Sequence, residues 1–380
     1  MRYFLYYYLY DSRLRSVPGG PMKIFDLCDN LVKLGHDVVL FAPDIGDPKS
    51  QTVAEVVRIP AFGIPVLGIL WHEAVSLAVS LLYLALGRCD AVYVRITTSF
   101  VPLLIARLSG ARLFTDVNDD PFYRYDSERG LGRLKLPCVR ACDALNLKSS
   151  DRVFVVNSAV LAKLRQRLGL AADKLEVMLS GANTNVFSPF DRDSACSELG
   201  LDRSLRYLCF VGSLNHWNDY SLLAAVVSRV TEALPVVRCL VVGDVSEEQM
   251  RGVSGSSFIL PGRVTPAAAA KYIACSEVCL APLIPQWREI TSVKIFDYLA
   301  CGRPVAATKA PEAENVFAEC PAVLVTPSGD EESFFRSVMR LLSDPVGAAA
   351  LGAAGREFVV KKHDRASAAR RLAELTGGNR

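Results

Sequence analysis

Short, nearly unbroken apolar runs recur along the chain, and stretches with a helical period separate most of them. A strand that is apolar on both faces belongs to a parallel sheet covered on both sides. The first half predicts strands at Arg2–Tyr8, Asp37–Phe41, Val56–Ile59, Ala91–Arg95, Arg112–Val117, Arg152–Val156 and Lys174–Met178. Ile24, Phe25, Leu27, Leu31, Val32 and Leu34 follow a helical period that closes on Gly35.

From Ser180 to Asp193 the run SGANTNVFSPFDRD is polar and turn-rich, which fits a linker. The pattern then restarts. Strands are predicted at Arg206–Val211, Val236–Val242, Phe258–Leu260, Val278–Pro282, Pro304–Thr308 and Ala322–Val325. Helices are predicted at Ser221–Ala233, Pro266–Ala274, Ser292–Ala300 and Glu331–Leu342, with a helical tail rich in Arg and Ala. The fold class expected is α/β, with two Rossmann-like doubly wound domains facing a cleft. The expected boundaries are 1–185, 186–355 and a C-terminal helical segment, 356–380, that packs back toward the first domain.

Composition narrows the function. The chain has 380 residues, 51% apolar and 22% charged, so a disordered or fibrous protein is excluded. Its 43 basic and 40 acidic side chains leave only +3, too little for a nucleic-acid surface. The eleven cysteines are odd in number, form no C-x-x-C pair and sit largely inside apolar runs. They read as buried thiols of a protein in a reducing cytosol. Four histidines give little material for a metal site.

The segment Ile64–Gly87 is nearly all apolar, but His72 and Glu73 interrupt it. The uncharged remainder, Ala74 to Leu86, falls short of the roughly 20 residues a spanning helix needs. It reads as a buried or an interfacial helix. With the basic tail (Arg356, Lys361, Lys362, Arg365, Arg370, Arg371), the interfacial alternative implies peripheral contact with an anionic membrane, at the inner face of the plasma membrane.

The densest candidate chemistry is EITSVKIFDYLACGRPVAAT, Glu289 to Thr308. Thr291 or Ser292 is placed to cap a helix that begins near Val293. Free N–H groups and the positive dipole end make such a helix start an anion site. Lys294 in the first turn opposes the dipole, which makes sense where an anion docks. Asp297, about one turn on, is placed to accept two ribose hydroxyls. An ordinary helix start with a solvated lysine is the plain alternative. The only D-x-D, Asp191–Asp193, lies in the linker and reads as solvated surface.

That stretch resembles the nucleotide-binding signature of family 4 retaining glycosyltransferases, in which two glutamates flank seven residues ahead of A-x-G-x-P-V. Other pieces fall in the family's order: Gly19-Gly20 after the first strand, LGHDVVLFAP, VFVVNSAVLAKL, LSGANTNVFSP, FVGSL, VVGD, LPGRV and AKYIACSEVCLAPL. The resemblance covers nearly the whole chain. It implies the GT-B fold and metal-independent transfer of a sugar, with retention, from a UDP- or GDP-linked donor to a glycan or lipid-linked acceptor. It implies no cofactor beyond the nucleotide sugar, which is substrate. The donor would meet Gly19, Gly20, Ser213, Arg263, Val264, Glu289, Ser292, Val293 and Asp297. Lys294 would be catalytic, with Asn118 and Asp119 at the acceptor loop.

The departures are specific. The family's usual Arg and Lys diphosphate clamp corresponds here to Ser213 and Asn218, and the second acid is Asp297 rather than Glu. Asn118 stands in place of a His, and Asn does not titrate. A nucleotide-sugar epimerase or hydrolase on the same fold, or a non-catalytic subunit, are the competing functions.

Overall fold

Parallel strands present apolar residues to both faces and need a layer on each. The computed structural model satisfies this twice. It describes residues 1–7, 20–44, 52–60, 67–95, 99–117, 120–122, 133, 136–178, 181–212, 218–245, 255–284, 292–310 and 315–378. These fall into two compact units, Met1–Leu179 with Arg365–Arg380, and Ser180–Asp364.

The first unit runs β1 (Arg2–Tyr6), α1 (Gly20–Lys33), β2 (Asp37–Asp44), β3 (Glu55–Pro60), α2 (Leu67–Ala85), β4 (Ala91–Arg95), α3 (Val101–Ser109), β5 (Arg112–Val117), α4 (Leu136–Ser149), β6 (Arg152–Val155), α5 (Ser158–Leu168) and β7 (Leu175–Val177). The strands pair in the order β3-β2-β1-β4-β5-β6-β7, all parallel. One core layer holds Tyr3, Leu5, Ile24, Leu31 and Phe114; the opposite layer holds Phe4, Phe41, Val92 and Ile105.

The second unit runs α6 (Arg192–Leu199), β8 (Arg206–Val211), α7 (Tyr220–Ala233), β9 (Val237–Val242), β10 (Phe258–Gly262), α8 (Pro266–Cys275), β11 (Val278–Ala281), α9 (Val293–Ala300), β12 (Val305–Thr308), β13 (Val323–Thr326), α10 (Glu331–Ser343) and α11 (Pro345–Lys362). Its parallel order is β10-β9-β8-β11-β12-β13. In both sheets the order reverses beside the unit's first strand, between β1 and β4 and between β8 and β11. Ligands of doubly wound sheets bind beyond the carboxyl ends at such a reversal.

The D-x-D motif is a helix cap. Asp191 accepts from the Ser194 amide at 2.8 Å and starts α6, while Asp193 pairs with Arg192. All eleven cysteines are unbridged and only Cys138 is exposed.

The basic tail divides between the units. Arg356 donates to the carbonyls of Phe187, Ala300 and Thr184, which ties it into the second. Lys361 and Lys362 pair with Glu357 and Glu319. The last helix, α12 (Ala366–Gly377), belongs to the first unit, where Arg365 pairs with Asp26 and Arg371 with Glu176. Salt bridges thus occupy much of the charge that the sequence offered to a membrane.

Ala369 and Leu372 of α12 are fully buried in the core that holds Tyr3 and Ile24. Leu372→Ala should therefore destabilise the first unit by about 2–5 kcal/mol, measured as a fall in the urea midpoint of its unfolding transition. An unchanged midpoint would mean that α12 does not share this core.

Candidate functional site

At the end of β8 the chain turns through Gly212 with φ +116°, and at the end of β9 through Gly243 with φ +144°. A Cβ on Gly243 would lie 2.4 Å from the Gly212 carbonyl oxygen. Only glycine fits there, and the two strand ends meet backbone to backbone.

Lys294 projects over this surface from the first turn of α9. A Cβ on Gly212 would sit 3.4 Å from its Nζ. The ammonium donates to Asn218 Oδ1 at 2.9 Å and lies 3.8 Å from the centroid of the Phe210 ring. Phe210 is fully buried and Asn218 nearly so. Asn218 is held in turn by a bridge to Leu283 and by the Asp219 amide, which donates to the Pro282 carbonyl at 2.9 Å. Thr308 braces that loop by donating to the Leu283 carbonyl at 2.8 Å.

Tyr298, one turn beyond Lys294, is fully buried. Its hydroxyl accepts from the Val211 amide at 2.7 Å, so the start of α9 is pinned to the end of β8. Ser292 is the N-cap residue and is nearly buried, but its side chain makes no capping bond. Lys294 and Asp297 are three residues apart and share a face of α9. Asp297 is half-buried, with Oδ1 inside the protein.

Lys294 as a residue keeps part of its surface, yet the packing around its ammonium removes enough water to bring its pKa down from the usual lysine range to about 7. The hydrogen bond to Asn218 and the ring of Phe210 soften that cost.

Arg263 follows Gly262, whose φ is +74°, at the end of β10; its Nη2 lies 3.3 Å from Asp244 Oδ2, beyond the end of β9. Val264 is half-buried against the core. The structure thus places Ser292, Val293, Lys294 and Asp297 at one helix start, with Lys294 against Gly212 and Asn218. Gly20 opens α1. Gly19, Asn118, Asp119, Ser213 and Glu289 lie outside the described residues. Asp120 serves the fold, since it accepts from the Phe122 amide at 2.9 Å and pairs with Lys163 at 2.8 Å.

The first unit has a charged cluster that the sequence motifs do not reveal. Asp116, 2% exposed, pairs with Lys23 of α1 at 3.1 Å. It lies in register with Arg95 on β4, whose guanidinium is 5.7 Å from the centroid of the Tyr7 ring. Burial pushes the Lys23 pKa down, Asp116 holds it up, and Arg95 and Arg365 press it lower. These groups stand at the carboxyl ends of β4 and β5 and in the first turn of α1. The signal available was a charged residue, Asp116, inside an otherwise buried strand run. Among the described residues no group of three His, Cys, Asp or Glu side chains could hold a metal.

The depressed pKa sets the direction of a pH effect. Below about 7 the Lys294 amine is an ammonium; above it, the charge is lost. Affinity for a nucleotide sugar, whose diphosphate does not titrate in this range, should fall about tenfold from about pH 6 to about pH 8. Asn218→Ala removes the carbonyl that accepts from the ammonium, so the midpoint should move to lower pH. Calorimetric titration across this range checks both, and a flat profile in the unaltered chain would show that Lys294 does not meet the diphosphate.

Residues 19–186 match the family described as Glycosyltransferase Family 4, and residues 206–344 match Glycosyl transferases group 1. A D-inositol 3-phosphate glycosyltransferase of Segniliparus rotundus is 27% identical over 217 residues, covering 54% of this chain and 47% of that protein. The chain spans about half the length of the curated relatives it matches. Among solved structures, sucrose-phosphate synthase of Thermosynechococcus elongatus has a TM-score of 0.76 at 18% identity, covering 98% of each chain. Anabaena HepE in complex with UDP-glucose has a TM-score of 0.74 at 15% identity, covering 99% of each chain. With both halves matched in order and two doubly wound units of the GT-B kind, the chain belongs to the group 1, family 4 glycosyltransferases.

Proposed function

We propose that the protein transfers a sugar from a UDP- or GDP-linked donor to a glycan or lipid-linked acceptor, with retention and without a metal. The observation that carries this reading is the Lys294 ammonium, held over the Gly212 backbone at the strand reversal of the second unit.

In this reading the donor's diphosphate lies against Lys294 and the free amides at the start of α9, near Ser292 and Val293. Asp297 accepts the ribose hydroxyls. Backbone groups at Arg263 and Val264 meet the base. As the glycosidic bond breaks, negative charge grows on the diphosphate. An ammonium already stripped of water stabilises that charge more than one in bulk solvent. Lys294 thus does the work of the missing clamp, and Asn218, at the clamp lysine's position, holds it in place. The donor phosphate accepts the acceptor's proton on the same face, which suits a site where Asn118 cannot act as a base.

The charged cluster of the first unit supports an acceptor that itself carries a phosphate. Lys23 and Arg95 flank Asp116 at the ends of the central strands. Several relatives are named for D-inositol 3-phosphate, and a lipid-linked acceptor would present the same group. Gly19 and Gly20 are assigned to the donor in this reading, and Asn118 and Asp119 to the acceptor loop.

Two substitutions separate the roles. Ribose contacts are made alike in ground and transition state, so Asp297→Ala should weaken donor binding by roughly 10- to 150-fold. Lys294→Ala should weaken donor binding by about tenfold, as loss of the ammonium charge does, and should lower kcat by more, because the charge it meets grows during the reaction. Steady-state kinetics on folded variants checks this; unchanged turnover in Lys294→Ala would place the diphosphate elsewhere. Nucleoside diphosphate released only when acceptor is present would separate a transferase from a hydrolase. Transfer should also persist in excess chelator, and a loss restored by magnesium or manganese would contradict the metal-free reading.

A further inference from the structure

The described lysines differ in what faces their amines. Lys23, Lys163, Lys271, Lys361 and Lys362 are each ion-paired with a carboxylate. A carboxylate holds the proton on an amine, and an amine that keeps its proton is no nucleophile. Lys33 and Lys148, in the last turns of α1 and α4, are exposed to solvent. Water also favours the ammonium. A solvated lysine titrates near 10.4, so at pH 7 fewer than about one in a thousand is neutral.

Lys294 is placed differently. Its Nζ has the Asn218 amide oxygen at 2.9 Å and the face of the Phe210 ring, with the centroid at 3.8 Å. Among the described residues no carboxylate is paired to it. The hydrogen bond fixes where the amine sits. The bare backbone of Gly212 leaves room beside it, since a Cβ there would lie 3.4 Å from Nζ. The residue keeps part of its surface, so a small reagent can reach it. Loss of water brings its pKa to about 7, and about half of the molecules then carry a neutral amine at neutral pH.

We propose that Lys294 is a modification site, acylated by acyl phosphates without the help of a second enzyme. An acyl phosphate joins an activated carbonyl to a phosphate, and the proposed function places phosphate against this amine; the choice of reagent rests on that reading. In the step, neutral Nζ attacks the carbonyl carbon. The C–N bond forms and the C–O bond to the phosphoryl group breaks. Phosphate leaves with the electron pair and takes the proton that nitrogen loses. The product is an uncharged amide. Acylation thus withdraws the cation assigned to the donor's diphosphate, so the modified chain is switched off for donor binding.

The test treats the full chain with acetyl phosphate between about pH 6 and about pH 9 and follows each lysine by peptide mass mapping, with Lys33 as the reference. At about pH 7.5 Lys294 should react about tenfold faster than Lys33 or more, because a far larger neutral fraction outweighs the lower nucleophilicity of a weaker base. Its rate should level off above about pH 8, whereas a solvated amine keeps gaining rate. Asn218→Asp puts a carboxylate beside the ammonium. In a variant with the far-ultraviolet spectrum of the parent, it should slow acetylation of Lys294 and move the levelling to higher pH. Acetylation of Lys294 no faster than that of Lys33, or a rate that rises in parallel with it through about pH 9, would overturn the proposal. Calorimetric titration with UDP near pH 6 separates this from the donor reading. The chain acetylated at Lys294 should bind UDP about tenfold more weakly. Unchanged affinity would overturn the placement of the diphosphate and leave the modification site standing.

Discussion

A lysine ammonium kept from water, with no carboxylate paired to it among the described residues, is the constraint around which the second unit is arranged. Burying a charge is costly unless its hydrogen-bonding capacity is met. Here the Phe210 ring and the Asn218 carbonyl meet part of it. Loss of water around the amine draws the Lys294 pKa down to about 7. In the proposed function an arriving diphosphate supplies a countercharge, and the protein has already met the cost of stripping the amine. Everything nearby keeps that amine in place: glycines that let two strand ends touch, Tyr298 tying α9 to Val211, and Thr308 bracing the loop that bridges to Asn218.

The two units use one strand order for different electrostatics. In the first, the reversal of strand order carries a buried ion pair, Lys23 with Asp116, beside Arg95. In the second, it carries a cation facing backbone. A paired cluster is suited to holding and orienting a charged partner; a cation with no ion-pair partner among the described residues is suited to charge that develops during reaction. The fold sets where each group sits, and the residues at the strand ends set what each can do.

Much of this was legible in sequence, for physical reasons. Strands buried on both faces leave short apolar runs with no alternation, and those runs read directly as a doubly wound sheet. The start of α9 was legible because capping, dipole and a misplaced lysine all speak within one turn. What could not be read depends on pairs distant in the chain. Asn218 appeared only as a lost clamp residue, whereas its place as the partner of Lys294 needs 76 residues of intervening chain to fold. Lys23 and Asp116 are 93 residues apart. The orientation of α2 was hidden for a different reason. A helix apolar nearly all round has no periodic signal, and its polar residues His72, Ser76 and Ser80 are fully buried, against the usual rule. The tail was read as free basic charge because its acceptors, such as Asp26 and Glu176, lie far away in sequence.

The central claim is that Lys294, and not a clamp at positions 213 and 218, meets the diphosphate over the Gly212–Gly243 backbone. A crystal structure of the chain with a UDP-sugar, grown near pH 6 where the amine is charged, tests this most directly. The account predicts a diphosphate oxygen within hydrogen-bond distance of Lys294 Nζ, with Asn218 still accepting from the same ammonium. A diphosphate bound away from the start of α9, with Lys294 bonded to Asn218 alone, would contradict it.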